Sequence, residues 1–102
     1  MTKGLLTRIR ITDDTVFNLF EDTKGQGAIG ITIRNDGETP FIIEDGVNEE
    51  FAPKEYFMCE NTIPVINTAF RVSFKKQIGK VNSAIMSYVV PIIESNNNNI
   101  EN

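Results

Sequence analysis

The stretch AIGITIRNDGETPFIIEDG, residues 28–46, decides the fold class of this chain. Its first seven residues alternate isoleucine with short or polar side chains, and a two-residue period is typical of a half-buried β-strand. We therefore expect Ile29, Ile31 and Ile33 to share one face. The short outward side chains at Gly30 and Thr32 would leave a flat face open to contact; alternatively, Gly30 forms a β-bulge or lies beneath a large neighbouring side chain. Turn residues and a second short apolar run follow at once, so the stretch predicts two strands joined by a tight connection.

Two other segments show the same alternation and predict further strands. AFRVSFK, residues 69–75, places its three large apolar side chains on one face and its polar ones on the other. LLTRIRI, residues 5–11, places Leu5, Ile9 and Ile11 on one face and both arginines on the opposite face. Four shorter segments rich in β-branched or aromatic residues predict the remaining strands, at residues 15–20, 40–43, 54–59 and 83–90.

Short strands separated by turn signals at this spacing predict an all-β fold. We expect a single antiparallel β-sandwich of about seven to eight strands, either immunoglobulin-like or jelly-roll-like. No segment carries a clear apolar stripe with the helical period, and Pro91 favours a strand that ends at residue 90. We place the sandwich domain at residues 1–94. An Asn-rich, low-complexity C-terminal tail follows at residues 95–102.

The composition argues against several classes of function. The chain has 102 residues, a formal net charge of −4 and scattered basic residues, so we expect no nucleic-acid partner. No apolar run approaches the length of a membrane span and no signal-peptide pattern follows Met1, so we expect no membrane partner and synthesis in the cytoplasm. The absence of His and the single Cys59 remove the commonest general base, the commonest metal ligand and an internal disulfide. We therefore predict that the protein is not an enzyme and uses no cofactor.

The acidic stretch NDGETPFIIEDG, residues 35–46, has two interpretations. Its carboxylates could bind a metal ion or move protons, but Asn35, Asp36 and Glu38 do not follow the spacing of a calcium loop. Asn-Asp-Gly and Asp-Gly turns around a strand opened by Pro40 account for more of the residues. The stretch therefore predicts turns between strands, with no metal site. Whether Ca²⁺ binds the acidic loops within residues 35–50 stays open at this level.

The segment from Gly27 to Phe57, GAIGITIRNDGETPFIIEDGVNEEFAPKEYF, resembles the pattern of immunoglobulin-like sandwich domains. In those domains a Pro-Gly-Glu-type turn precedes a strand; here Lys54 stands at the glycine position, and the Cys pair and Trp of antibody domains are missing. In its acidic, Ile- and Asn-rich composition the chain is similar to auxiliary head and decoration proteins of tailed bacteriophages. The resemblance implies a structural virion protein, made in the host cytoplasm, that stabilises a capsid. Its partners would be the major capsid protein or copies of itself within a large assembly.

Aromatic side chains dominate interface hot spots, so the candidate partner-contact residues are Phe51, Tyr56, Phe57 and Tyr88. An alternative function is a ligand-binding β-sandwich module for carbohydrate or peptide, in which tyrosine would supply the stacking surface in the absence of Trp. A further possibility is self-association through an exposed strand edge, either at residues 5–12 or in the strand before Pro91. The sequence does not separate a foreign partner from a second copy of the chain.

Overall fold

The computed structural model describes residues 2–93 and shows an all-β fold. Its eight strands are β1 (Thr2–Ile11), β2 (Thr15–Phe17), β3 (Ile29–Asn35), β4 (Phe41–Glu44), β5 (Glu49–Phe51), β6 (Tyr56–Cys59), β7 (Phe70–Phe74) and β8 (Ala84–Ile93). They form two four-stranded antiparallel sheets around a common core, which confirms the predicted single β-sandwich. One helical turn, α1 (Leu19–Asp22), lies between β2 and β3. The domain boundary at residue 94 and the tail at residues 95–102 lie outside the described residues.

The strand order identifies which kind of sandwich this is. Sheet A has the order β1-β8-β3-β6 and sheet B has the order β2-β7-β4-β5. Each strand of the first half pairs with its complement in the second half, β1 with β8, β2 with β7, β3 with β6 and β4 with β5. This is a long antiparallel hairpin rolled into two layers, which is the arrangement of a jelly roll. Of the two expected sandwich types, the jelly roll is the one observed.

The core is filled by the alternating inward side chains of both sheets. In sheet B, β7 points Phe70, Val72 and Phe74 inward, as its sequence predicts. Phe41 of β4 is fully buried and stacks on Phe51 of β5, with ring centroids 5.2 Å apart. Sheet A contributes the facing layer, which consists of Ile11, Ile31, Ile33, Ala84, Met86, Tyr88 and Val90. These two layers fill the space between the sheets.

β1 and β8 extend beyond the rest of sheet A. The pairing of β8 with β3 ends at Val89, whereas its pairing with β1 continues to the end of both strands. Residues 2–5 and 90–93 therefore project as a two-stranded ribbon. Leu5, which the alternation predicts in the core, is 55% exposed because it lies on this ribbon. The prediction that the strand ends before Pro91 is wrong, because β8 continues to Ile93. β3 no longer pairs with β8 at Pro91, so the missing N–H of the proline breaks no hydrogen bond on that side.

A β-bulge in β3 changes the face of its first isoleucine. One additional residue lies between the pair Ile29–Val89 and the pair Thr32–Ser87, and Gly30 has a φ of +64°. The prediction that Ile29 shares the face of the other two isoleucines is therefore wrong. The bulge interpretation of Gly30 is confirmed, and a Cβ built at Gly30 would meet nothing within 4 Å. The left-handed backbone, rather than a crowded neighbour, is what favours glycine at this position.

Two short elements differ from the sequence prediction. The strand predicted at residues 15–20 stops at Phe17 because Asn18 caps α1, accepting a hydrogen bond from the Glu21 N–H at 3.0 Å through its side-chain oxygen. β5 is missed because two of its three residues are glutamates. It pairs with β4 and buries only Phe51.

Candidate functional site

The outward face of sheet A carries two cross-strand rows of arginine, aromatic and aliphatic side chains. The register between neighbouring strands aligns Arg10, Ile85, Arg34 and Tyr56 in one row. It aligns Arg8, Ser87, Thr32 and Met58 in the next. We call these eight residues the arginine face. Arginine, tyrosine and methionine are enriched in protein–protein interfaces relative to other surfaces.

The cations of the arginine face are incompletely neutralised. Arg10 donates to the Asp36 carboxylate at 2.8 Å and to the Ser83 hydroxyl at 2.7 Å. Hydrogen bonds from Ser83 and then from Arg10 hold the pKa of Asp36 below its usual value. Within residues 2–93, Arg8 and Arg34 are exposed and their guanidinium groups have no ion-pair or hydrogen-bond partner. This side of an otherwise acidic protein therefore presents two free positive charges.

Two exposed apolar side chains lie at the β6 edge of the arginine face, where Tyr56 is directly opposite Arg34, whereas β8 and β3 separate Met58 from Arg8. Tyr56 is 56% exposed and Met58 is 48% exposed, both on the edge strand β6. Both side chains would bury apolar area in an interface. Tyr56 also carries a hydroxyl group that can form a hydrogen bond, and the flexible Met58 side chain can adapt to the shape of a partner. The arginine face thus combines guanidinium groups, which can bind a carboxylate or a phosphate bidentately, with exposed apolar side chains.

The outward face of sheet B differs because its charges are paired with one another. Arg71 lies 3.5 Å from both the Asp14 and the Glu44 carboxylates, and Glu44 also accepts a hydrogen bond from the Ser73 hydroxyl. The Lys75 ammonium lies 2.8 Å from the Glu50 carboxylate. These are two cations and three carboxylates, so on this face each named cation has an acidic partner and none is free to attract an acidic surface. The two outward faces of the sandwich are therefore electrostatically unlike.

Only one of the four predicted partner-contact residues lies on an open surface. Phe51 and Tyr88 are 6% and 3% exposed and belong to the core, so neither is available as a surface anchor. Phe57 is half-buried and packs edge-on against Phe51, with ring centroids 6.1 Å apart. Tyr56 lies on the arginine face. The structure adds Arg8, Arg34 and Met58, for which the sequence alone carries no signal of a contact role.

The acidic stretch at residues 35–46 forms connections on either side of β4, as its sequence predicts. The Asn35 side chain is buried and bonds backbone groups within the fold, and Asp36 is held by Ser83 and Arg10. Glu38 accepts a hydrogen bond from the Val81 N–H at 2.9 Å, and Asp45 accepts one from the Val47 N–H at 3.2 Å. These side chains therefore have structural partners.

Groups of three or more potential metal-ligating side chains are absent from residues 2–93. Cys59 is half-buried and packs against the core. In the same part of the chain, no helix is long and apolar enough to cross a membrane.

An open groove lies between the ribbon and the loop that follows α1. Its volume is about 360 Å³, and it is lined by Leu5, Thr7, Val90 and Ile92 from the two strands, by Asp22 at the end of α1, and by Thr23, Lys24 and Gln26 from the loop. Its floor is apolar and its rim carries both charges. The volume falls within the range of small-molecule sites, roughly 300 to 1,000 Å³.

No protein-family model, no curated protein sequence and no solved structure matches this chain.

Proposed function

We propose that this protein is a non-enzymatic structural subunit that docks on a larger protein assembly through the arginine face. The observation that carries the proposal is the pair of unpartnered guanidinium groups on one sheet face, Arg8 on β1 and Arg34 on β3, with exposed Tyr56 and Met58 at the β6 edge of the same face. A partner carboxylate would give each guanidinium the bidentate hydrogen bonds it lacks, and the apolar side chains would be buried at the same time. The partner surface is therefore acidic.

The assembly that we propose is the head of a tailed bacteriophage, with the major capsid protein as the docking partner. The resemblance of the chain to head decoration proteins is what supports this context, and it places the working protein in the virion after synthesis in the host cytoplasm. The jelly roll is compatible with this role because capsid proteins use it, but lectins and cupins use it as well. Fold alone therefore does not select the function, and the surface must do so.

The experiment is co-sedimentation with heads assembled from the major capsid protein encoded in the same genome. Saturable binding at one fixed ratio to the capsid protein is expected. The double variant Arg8→Gln/Arg34→Gln should weaken binding at least tenfold, since each guanidinium would lose charge-assisted hydrogen bonds. The matched control, Arg71→Gln/Lys75→Gln, removes the same charge from sheet B and should bind as the unaltered chain does. Absence of binding to these heads, or loss of binding in the control alone, would contradict the proposal.

A second candidate function is a carbohydrate- or peptide-binding module, which the groove beside the ribbon favours. The Asp22, Lys24 and Gln26 side chains offer hydrogen bonds at its rim, and Leu5 and Ile92 offer an apolar floor. A glycan array together with a panel of short peptides tests this function. A selective signal that is lost in Asp22→Ala would support it, and a blank array with no peptide binding would count against it.

A further inference from the structure

The outer edge of β1 is the longest unpaired strand edge in the described part of the chain. β1 has ten residues, and β8 is its only strand neighbour there, in a register without interruption. The other three sheet edges, at β6, β2 and β5, have four, three and three residues. Proteins usually protect edges by shortness, proline, bulges or charge, and of these β1 has only charge. A row of free N–H and C=O groups of this length is a template for another strand.

The ribbon adds exposed apolar surface to this edge. Leu6 is 66% exposed, Leu5 is 55% exposed and Ile92 is 42% exposed. Leu5 and Leu6 are consecutive in β1, so they lie on opposite faces, and both faces of the strand are apolar near the ribbon. Val90 and Pro91 of the ribbon are buried, whereas a third strand paired with β1 would cover the exposed leucines.

We propose that two copies of this chain dimerise by antiparallel pairing of their β1 strands about a two-fold axis at Leu6. An axis perpendicular to the sheet places each residue opposite one of the same face in the second copy. Leu6 then faces Leu6 of the second copy. Arg8 faces Gly4, which has no side chain to oppose it, and Ile9 faces the aliphatic stem of Lys3.

The charges of β1 disfavour registers centred further along the strand. Pairing centred on residue 8 would place Arg8 opposite its own copy, and pairing centred on residue 9 would place it opposite Arg10. Like charges directly opposite each other destabilise a sheet. In the Leu6 register the two Arg8 residues are offset by four residues, about 13 Å at a rise of roughly 3.3 Å per residue. That separation exceeds the Debye length of about 8 Å at physiological salt, so their repulsion is largely screened.

The dimer would have one continuous eight-stranded sheet, with the order β6-β3-β8-β1 followed by its two-fold mate. Because the axis is perpendicular to the sheet, the arginine faces of both copies would lie on the same side. Self-association rests on the β1 edge alone, and it stands whether or not the arginine face docks on a capsid.

Solution mass of the full chain is the first test. Size-exclusion chromatography with light scattering should give twice the chain mass of 11.5 kDa at high concentration. A monomer at about 1 mM chain would overturn the proposal. Leu6→Arg places two cations together at the axis and should weaken the dimer at least tenfold, while circular dichroism shows an intact fold because Leu6 is exposed. The control Tyr56→Arg, on the opposite edge of sheet A, should leave the dimer unchanged.

Disulfide trapping tests the register. In a Cys59→Ala background, Leu6→Cys should form a disulfide-linked dimer on mild oxidation, since directly opposed Cβ atoms lie about 4.5 to 5.5 Å apart. Val16→Cys is the matched control, because Val16 is similarly exposed, at 62%, on the edge strand β2. A dimer that resists Leu6→Arg, or one that Val16→Cys traps and Leu6→Cys does not, would overturn pairing through β1.

Discussion

Replacing Asn35 with Ala should remove a large part of the stability of this domain, because its side chain connects three separate segments. Its amide nitrogen donates to the Thr39 carbonyl at 2.8 Å and to the Phe51 carbonyl at 3.0 Å. Its side-chain oxygen accepts a hydrogen bond from the Gly37 N–H at 3.0 Å. Asn35 is 1% exposed and Thr39 is 0% exposed, so water cannot easily replace these bonds. Asn35 thus fixes the β3–β4 turn and attaches it to β5.

The magnitude follows from the groups that Asn35→Ala leaves without a partner. Two buried carbonyl groups lose a hydrogen bond at about 1 to 1.5 kcal/mol each, and the part-buried Gly37 N–H loses one at about 0.5 kcal/mol. The expected loss is therefore about 3 kcal/mol, or roughly 15 °C in Tm for a domain of this size. Asn67→Ala is the control, since Asn67 is exposed and should change stability by less than about 0.5 kcal/mol.

Urea unfolding followed by far-ultraviolet circular dichroism measures both variants. Asn35→Asp refines the test, because it keeps the accepting oxygen but turns the donor into a carboxylate oxygen that faces two carbonyl groups. It should be at least as destabilising as Asn35→Ala at neutral pH and should recover in part when acid protonates the carboxylate. A loss below about 1 kcal/mol in Asn35→Ala would show that the three side-chain hydrogen bonds of Asn35 contribute little to stability.

Two further predictions concern acid and the β3–β4 turn. The pKa of Asp14 is lowered by hydrogen bonds from the Phe74 N–H and Lys76, and that of Asp36 by Ser83 and Arg10. A carboxylate whose pKa is lower in the folded state stabilises the native state at pH values above its unfolded pKa of about 3.9. The urea midpoint should therefore fall as the pH drops through and below that value. The fall should be smaller in Asp36→Asn, which lacks one of these carboxylates. Gly37→Ala should lower the free energy of unfolding by at least about 2 kcal/mol, because the added Cβ would lie 2.6 Å from the Ser83 backbone nitrogen. Gly46→Ala should lower it by about 1 kcal/mol, because only the left-handed backbone at Gly46 opposes the change. Equal losses in the two glycine variants would contradict the close approach at Gly37.

Much of the sandwich could be predicted because alternation is a local signal. In β7 every second residue is a large apolar side chain, so its face was readable without knowledge of any neighbour. The sequence leaves Gly30 open to three interpretations, a flat contact face, a bulge or a position beneath a large neighbour, since alternation on its own does not show where an extra residue shifts the register. Residues 18–20 continue the apolar pattern of β2, and only the cap formed by Asn18 turns them into α1.

The candidate site was less readable because it depends on the order of the strands. The alternation predicts that Arg8 and Arg34 point away from the core. Their shared face depends on β1 and β3 pairing with β8 on its two sides, and no local sequence pattern encodes this strand order. Phe51 and Tyr88 illustrate the converse difficulty. An aromatic side chain serves a core or an interface equally well, so composition does not decide which face of its strand is buried.

Arginine-specific labelling of the chain bound to heads tests the central claim, the docking of the arginine face, most directly. A dicarbonyl reagent would be applied to the free and the head-bound protein, and modification of each arginine would be read by mass spectrometry. If the arginine face docks on the head, Arg8 and Arg34 are modified in the free chain and protected in the bound one, while Arg71 on sheet B reacts equally in both. Protection of Arg71, with Arg8 and Arg34 still reactive on the particle, would contradict it.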